Sequence, residues 1–165
     1  MPGRGRPRPG AQPNGRRQAG VGLIEVMVAM LILSIGFLGV AALLATSLST
    51  NNSAMARSMA TVSSYSILDA MRADLANARG GSYNATVTAS KCSAVAATGL
   101  PGAQLKVWCG QLGQNLGALD STKGTIACNA AGTSSADCQV TVTFDDSRSG
   151  EGGSDQQQIV TRAML

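Results

Sequence analysis

Glu25 is the one side chain near the N-terminus whose chemistry demands an explanation. A carboxylate stands five residues after Gly20 and directly ahead of a long apolar run. A charge in such a place costs free energy, up to about 2.5–3.5 kcal/mol at a bilayer centre and less near the interface. Such a group either reaches water at the headgroups or has a dedicated cationic partner. Elsewhere the reactive inventory is thin. The chain has no histidine, which removes the usual general base, the commonest metal ligand and most nucleophilic triads. Its four cysteines, Cys92, Cys109, Cys128 and Cys138, form no C-x-x-C pair, so a zinc site has little support. Asp145 and Asp146 are adjacent in a polar stretch and read as loop solvation rather than a calcium site. No enzymatic site is legible, and no cofactor is implied.

The elements that carry these residues are sharply divided. Residues 1–20, MPGRGRPRPGAQPNGRRQAG, are dominated by proline, glycine and arginine, which disfavour helix and strand. Five of the thirteen basic residues (Arg4, Arg6, Arg8, Arg16 and Arg17) lie there, and all nine acidic residues follow. The net charge of +4 therefore belongs to this segment. Without it the balance is eight basic against nine acidic, or −1, which argues against a nucleic-acid-binding face. Residues 26–45 hold no charge and one polar side chain, Ser34. As a helix they span roughly 30 Å, the thickness of a bilayer core. The run is too long for the apolar core of an ordinary secretory signal and lacks a small-residue cleavage pattern at its end. A plain membrane anchor and a helix retained after cleavage on its N-terminal side are the readings that remain.

Residues 20–27, GVGLIEVM, separate these two. They resemble the processing motif of the type IV prepilin family. In that family a basic leader ends in glycine, a prepilin peptidase cuts after it, and the fifth mature residue is glutamate. The resemblance implies cleavage between Gly20 and Val21 and N-methylation at Val21. It makes Glu25 a residue of assembly and registry, pairing with the new α-amine of a neighbouring subunit. A paired charge is tolerated in an apolar bundle where an unpaired one is not. Val21 stands where the family commonly has phenylalanine or methionine, and Gly22 where a hydroxyl residue is more usual. The basic N-terminal side places the leader in the cytoplasm and the remainder across the membrane.

Residues 46–78 contain no proline or glycine and continue the helix as the spine of an outer domain. Leu48, Met55, Met59 and Val62 share one face, and Leu68, Met71 and Leu75 another. The methionine stripe reads as core packing. A continuous helix from residue 21 to 78 would be roughly 85 Å long, and Arg79-Gly80-Gly81 should end it. Gly36 and Gly39 lack the G-x-x-x-G spacing of a helix-pairing face.

Residues 79–165 turn to threonine, serine, glycine and valine. Residues 104–109 (QLKVWC), 125–128, 138–144 (CQVTVTF) and 158–163 (QIVTRA) read as strands, with a polar glycine-rich hairpin loop between the last two. The expected fold is α+β and type IV pilin-like. A long N-terminal helix, with its first half (residues 21–45) transmembrane, packs on a small antiparallel sheet. Beyond an oxidising membrane face the cysteines should pair. Four cysteines allow three connectivities. Sequential pairing, Cys92–Cys109 and Cys128–Cys138, is preferred, each closing a loop on its own side of the sheet at about 2–3 kcal/mol of stabilisation.

Three features further resemble the minor-pilin PilV subgroup. These are the string LIEVMVAMLILSIGFLGVAAL, the continuation MARSMATVSSYSILDAMRAD, and VTVTFDDSRSG after the late strand. That resemblance implies a low-abundance subunit that helps start pilus assembly, with major and other minor pilins and a large tip adhesin as partners. It would sit in the inner membrane of a Gram-negative bacterium before assembly and on the cell-surface pilus afterwards. A minor pseudopilin of a type II secretion system shares the leader, Glu25 and the helix. A bitopic anchor displaying a small binding module is the alternative from another class.

Overall fold

The computed structural model describes Gly20, residues 22–149 and residues 153–165. Of the expected leader, residues 1–20, Gly20 is described; residues 1–19 and the expected new N-terminus, Val21, lie outside the described residues. By compactness the chain divides between Ala41 and Ala42 into two units.

The first unit holds the start of α1 (Leu23–Ala73). The second holds the rest of α1, then α2 (Leu75–Arg79), β1 (Ala85–Thr88), a 3-10 helix (Ala89–Ala94), α3 (Gly99–Leu116), β2 (Lys123–Ala131), β3 (Ser135–Phe144), a 3-10 turn (Ser147–Ser149) and β4 (Gln157–Met164). The four strands form an antiparallel sheet in the order β1-β2-β3-β4, with α3 inserted between its first two strands. This is the α+β, pilin-like arrangement expected from the sequence.

One face of the sheet makes the core. Along β3 the alternation puts Ala136, Cys138, Val140, Val142 and Phe144 inward and buries them all. Ile126 and Cys128 of β2 and Val87 of β1 lie on the same side. Against them pack Ala60, Ile67, Leu68 and Met71 of α1, and Leu105, Trp108, Cys109 and Leu112 of α3. Gly124 makes room for that packing. A Cβ there would lie 2.7 Å from Leu112 Cδ1 and overlap the Trp108 ring. The indole N–H donates to the Ser63 carbonyl of α1 at 2.9 Å, so the largest core side chain leaves no donor unpaired.

The edge of β1 shows how a short strand is completed. Its register runs from Thr88↔Lys123 to Ala85↔Ile126. Beyond it, the Asn84 side chain takes over: Cys128 N–H donates to Asn84 Oδ1 at 2.7 Å, and Asn84 Nδ2 donates to the Cys128 carbonyl at 3.0 Å. The amide stands in for one further residue of backbone pairing.

Four expectations change. Residues 104–109 are helical and belong to α3. The six-residue alternation was misleading, because Leu105, Trp108, Cys109 and Leu112 are buried at the i, i+3, i+4, i+7 spacing of a helix face. The four-residue strand β1 carried too little pattern to be read. The face of Leu48, Met55, Met59 and Val62 is not core: Leu48, Met55 and Val62 are 64, 60 and 58% exposed. The buried face of α1 is instead lined by Ser53, Ala60, Ser63 and Ser64 ahead of Ile67, Leu68 and Met71, small side chains that allow close approach. Finally, the helix does not run unbroken to residue 78. It stops at Asp74, whose backbone leaves the helical region (φ −130°, ψ 52°), and resumes as α2. The Asp74 carboxylate accepts from Asn77 Nδ2 at 2.9 and 3.0 Å and from the Tyr83 hydroxyl at 3.1 Å, which fixes the break.

Candidate functional site

The N-terminal segment is positioned by the start of α1. The Gly22 carbonyl accepts from Glu25 N–H at 2.9 Å and from Val26 N–H at 3.3 Å, so the helix opens immediately after Gly22. Glu25 lies in its first turn. The unpaired backbone N–H groups and the positive end of the helix dipole concentrate there, a place that favours a carboxylate. Its side chain is exposed, as is every described residue from 22 to 48.

Around Glu25 lies an exposed apolar surface. Leu23, Ile24, Met27, Met30, Leu31 and Ile32 are all at least 60% exposed. The only polar side chain in residues 26–45 is already satisfied, since the Ser34 hydroxyl donates to the Met30 carbonyl at 2.7 Å. Thr46 does the same with Ala42 at 3.1 Å. The helix is long and apolar enough to cross a membrane. Water is the wrong surroundings for such a surface. It requires lipid or other apolar helices. Gly36 and Gly39 have open space where a Cβ would stand, so they mark no close contact among the described residues.

In the second unit the cysteine sulfurs lie at bonding distance in two pairs, Cys92 with Cys109 at 1.95 Å and Cys128 with Cys138 at 2.00 Å. The first ties the 3-10 helix to α3, with the Cys109 sulfur 3.4 Å from the carbonyl of Thr88 at the end of β1. The second spans the two central strands, where Cys128 and Cys138 stand directly opposite each other. The buried Cys128 sulfur rests 3.7 Å from that of Met71.

The sequence reading of Asp145 and Asp146 as loop solvation holds for neither the burial nor the partners of the second residue. Asp146 is only 7% exposed. Its carboxylate accepts from the Ser53 hydroxyl of α1 at 2.5 Å and from the Ser149 hydroxyl, and it pairs with Arg57 at 3.5 Å. Burial pushes this carboxyl up, but those hydroxyl donors and the guanidinium outweigh it and hold it below the usual carboxylate range. Asp146 N–H donates to the Ser154 carbonyl at 2.7 Å, and Arg57 reaches Gln157 Oε1 at 3.4 Å. One carboxylate thus fastens the β3–β4 connection to α1. Ser53 and Asp146 are 93 residues apart, and no local pattern in the sequence announces the contact. Asp145 accepts from Ser147 N–H at 2.9 Å.

Tyr83 is the other buried polar junction. Its hydroxyl donates to Asp74 Oδ2 and lies 3.1 Å from Gln104 Oε1. Burial first, then the hydrogen bond and charge of Asp74, push the phenol up to about 12. Both junctions are structural. Among the described residues no group of three or more histidine, cysteine, aspartate or glutamate side chains could hold a metal ion. The exposed start of α1 offers an apolar helix surface to be covered.

In comparison with protein families, residues 15–41 match the family described as the prokaryotic N-terminal methylation motif. The chain thus has the N-terminus of a type IV prepilin-like protein, of the pilin or pseudopilin type. No curated protein matches the chain. No solved structure matches it.

Proposed function

We propose that the chain is a minor pilin of a type IV pilus, of the PilV kind, acting as a structural subunit and not as an enzyme. The observation that carries this is the conjunction at the N-terminus. A methylation-motif match covers residues 15–41, and Glu25 sits in the first turn of a helix whose apolar residues from Leu23 to Leu48 are exposed. Prepilin peptidase cuts after Gly20 and exposes an α-amine at Val21, cationic near neutral pH. Before assembly the subunit rests in the inner membrane, with its N-terminus cytoplasmic and residues 79–165 periplasmic. On assembly the apolar helix leaves lipid for a bundle of like helices, among the major pilin and other minor pilins. The low copy number expected of such a subunit fits a role in starting the filament, near its tip and beside a large adhesin.

Glu25 then carries registry. It neutralises the amine of a neighbour, and a subunit out of register leaves both charges unpaired in apolar surroundings, which is strongly unfavourable. Glu25→Ala should leave cleavage intact and reduce recovery of the subunit in sheared, purified filaments at least ten-fold. Quantitative mass spectrometry of those filaments is the measurement. Incorporation of the variant at the normal level would remove the pairing role.

A further inference from the structure

The free edge of β4 points to a second interaction surface, distinct from the N-terminal helix. In an antiparallel pair, alternate residues exchange both backbone hydrogen bonds with the neighbour, and those between point outward. Leu165 and Ala136 exchange both, at 2.8 and 3.0 Å. The uninterrupted register from Asp137↔Met164 to Phe144↔Gln157 extends that alternation. Residues 157, 159, 161 and 163 therefore turn their N–H and C=O groups to β3. Gln158, Val160, Arg162 and Met164 present theirs at the free edge. No strand pairs beyond β4 among the described residues.

Natural sheets guard such edges with proline, lysine, bulges or very short strands. The opposite edge follows that rule, since β1 has four residues and runs straight into a 3-10 helix. β4 does not. It has eight residues, QQIVTRAM, with no proline, lysine or bulge. Val160 and Met164 are 55 and 64% exposed, and on the core side Ile159 and Ala163 are only half-buried. An open ladder of four residues with an incompletely covered apolar row beneath it fits one kind of occupant, an extended backbone.

We infer that β4 receives a strand from a different protein chain, one that sets apolar side chains beside Ile159 and Ala163 and a neutral or acidic side chain beside Arg162. Charge selects against a second copy. Arg162 is the only charge on β4. Self-pairing with Thr161 on the two-fold axis uses the whole edge, but it puts the two Arg162 side chains on one face as diagonal neighbours, roughly 7–8 Å apart. Moving the axis to Arg162 sets them directly opposite, and moving it to Val160 carries Met164 past the end of the partner strand. Within the chain the guanidinium takes Asp137 through Nε at 3.0 Å and Nη2 at 2.5 Å. The same chemistry extends to a carboxylate on an added strand.

The test uses the full chain in its native membranes. A photo-crosslinking amino acid replaces Met164, and the trapped peptide is read by mass spectrometry. The expected product joins Met164 to a segment of another protein with alternating apolar residues. Val160→Pro removes one outward N–H and no bond to β3, a change edge strands tolerate. It should cut the crosslink at least ten-fold, whereas Val160→Thr, which keeps the N–H, should not. The thermal midpoint of each variant, in detergent, shows that it folds. Gln158→Pro, nearer the strand end, repeats the test should Val160→Pro fail to fold. A crosslink only to lipid or to a second copy of this chain, a crosslink indifferent to both prolines, or none at all would overturn the inference.

Discussion

At the scale of single residues, Asp146 and Tyr83 show what holds the second unit together. The Asp146 carboxyl lies below its ordinary range in the folded chain. A group with a depressed folded pKa contributes stability that is present above the unfolded value and lost as pH falls through the folded one. The β3–β4 connection should therefore loosen in acid, below the usual aspartate value of 3.8. Asp146→Ala should cost about 1.5–3 kcal/mol at neutral pH, the range for hydrogen bonds to a charged group. It should also flatten the acid limb of the stability profile, which denaturant unfolding at several pH values measures. Tyr83→Phe leaves Asp74 and Gln104 without the hydroxyl and should cost about 1–2 kcal/mol. In the wild type, ultraviolet titration should show one of the two tyrosines ionising near pH 12. Ionisation of both near 10 would contradict the buried junction.

At the scale of elements, the sheet and its helices meet with little slack. Gly124→Ala pushes a Cβ into the Trp108 ring and Leu112, and should destabilise by about 1–3 kcal/mol, the usual cost of overpacking. A smaller loss in denaturant midpoint, with unchanged tryptophan fluorescence, would mean that α3 can shift. The elements also show which physics a sequence displays. β3 was legible because its five inward residues alternate without a break, and period 2 is the whole signal for a half-buried strand. α3 was misread because QLKVWC is short, and six residues satisfy either period. The burial of adjacent Trp108 and Cys109 with Val107 exposed, and of Leu112 one turn on, separates them. Leu68 and Met71 were legible as one face and are buried, but the earlier part of the buried face of α1 was missed because serine and alanine line it, and hydropathy does not report close approach. The break at Asp74 depends on Tyr83 and Asn77 folding back, and the Asp146 clamp on a contact across most of the chain. Neither is written in any local window.

At the scale of the whole molecule, charge and hydropathy are partitioned by function. Residues 26–45 have one polar side chain, satisfied within the helix, and a surface that water cannot solvate well. Residues 79–165 carry the sheet and both cysteine pairs. The N-terminal motif was readable because its information is covalent and sequential: a glycine, a five-residue spacing, a glutamate and an apolar run. It needs no folding to be recognised by a peptidase. The α+β class was readable from the change of composition near residue 79. Reduction of the chain in detergent should lower its thermal midpoint, since closing loops of 17 and 10 residues restricts the unfolded state by about 2–3 kcal/mol each. The central claim concerns the N-terminus, because under the proposed function cleavage there would turn a membrane helix into an assembly helix. Determining the first residue of the protein purified from membranes tests it most directly. The account predicts a start at Val21, with or without a methyl group on its amine. An intact Met1, or a start at Thr46 after a cut behind Ala45, would contradict it.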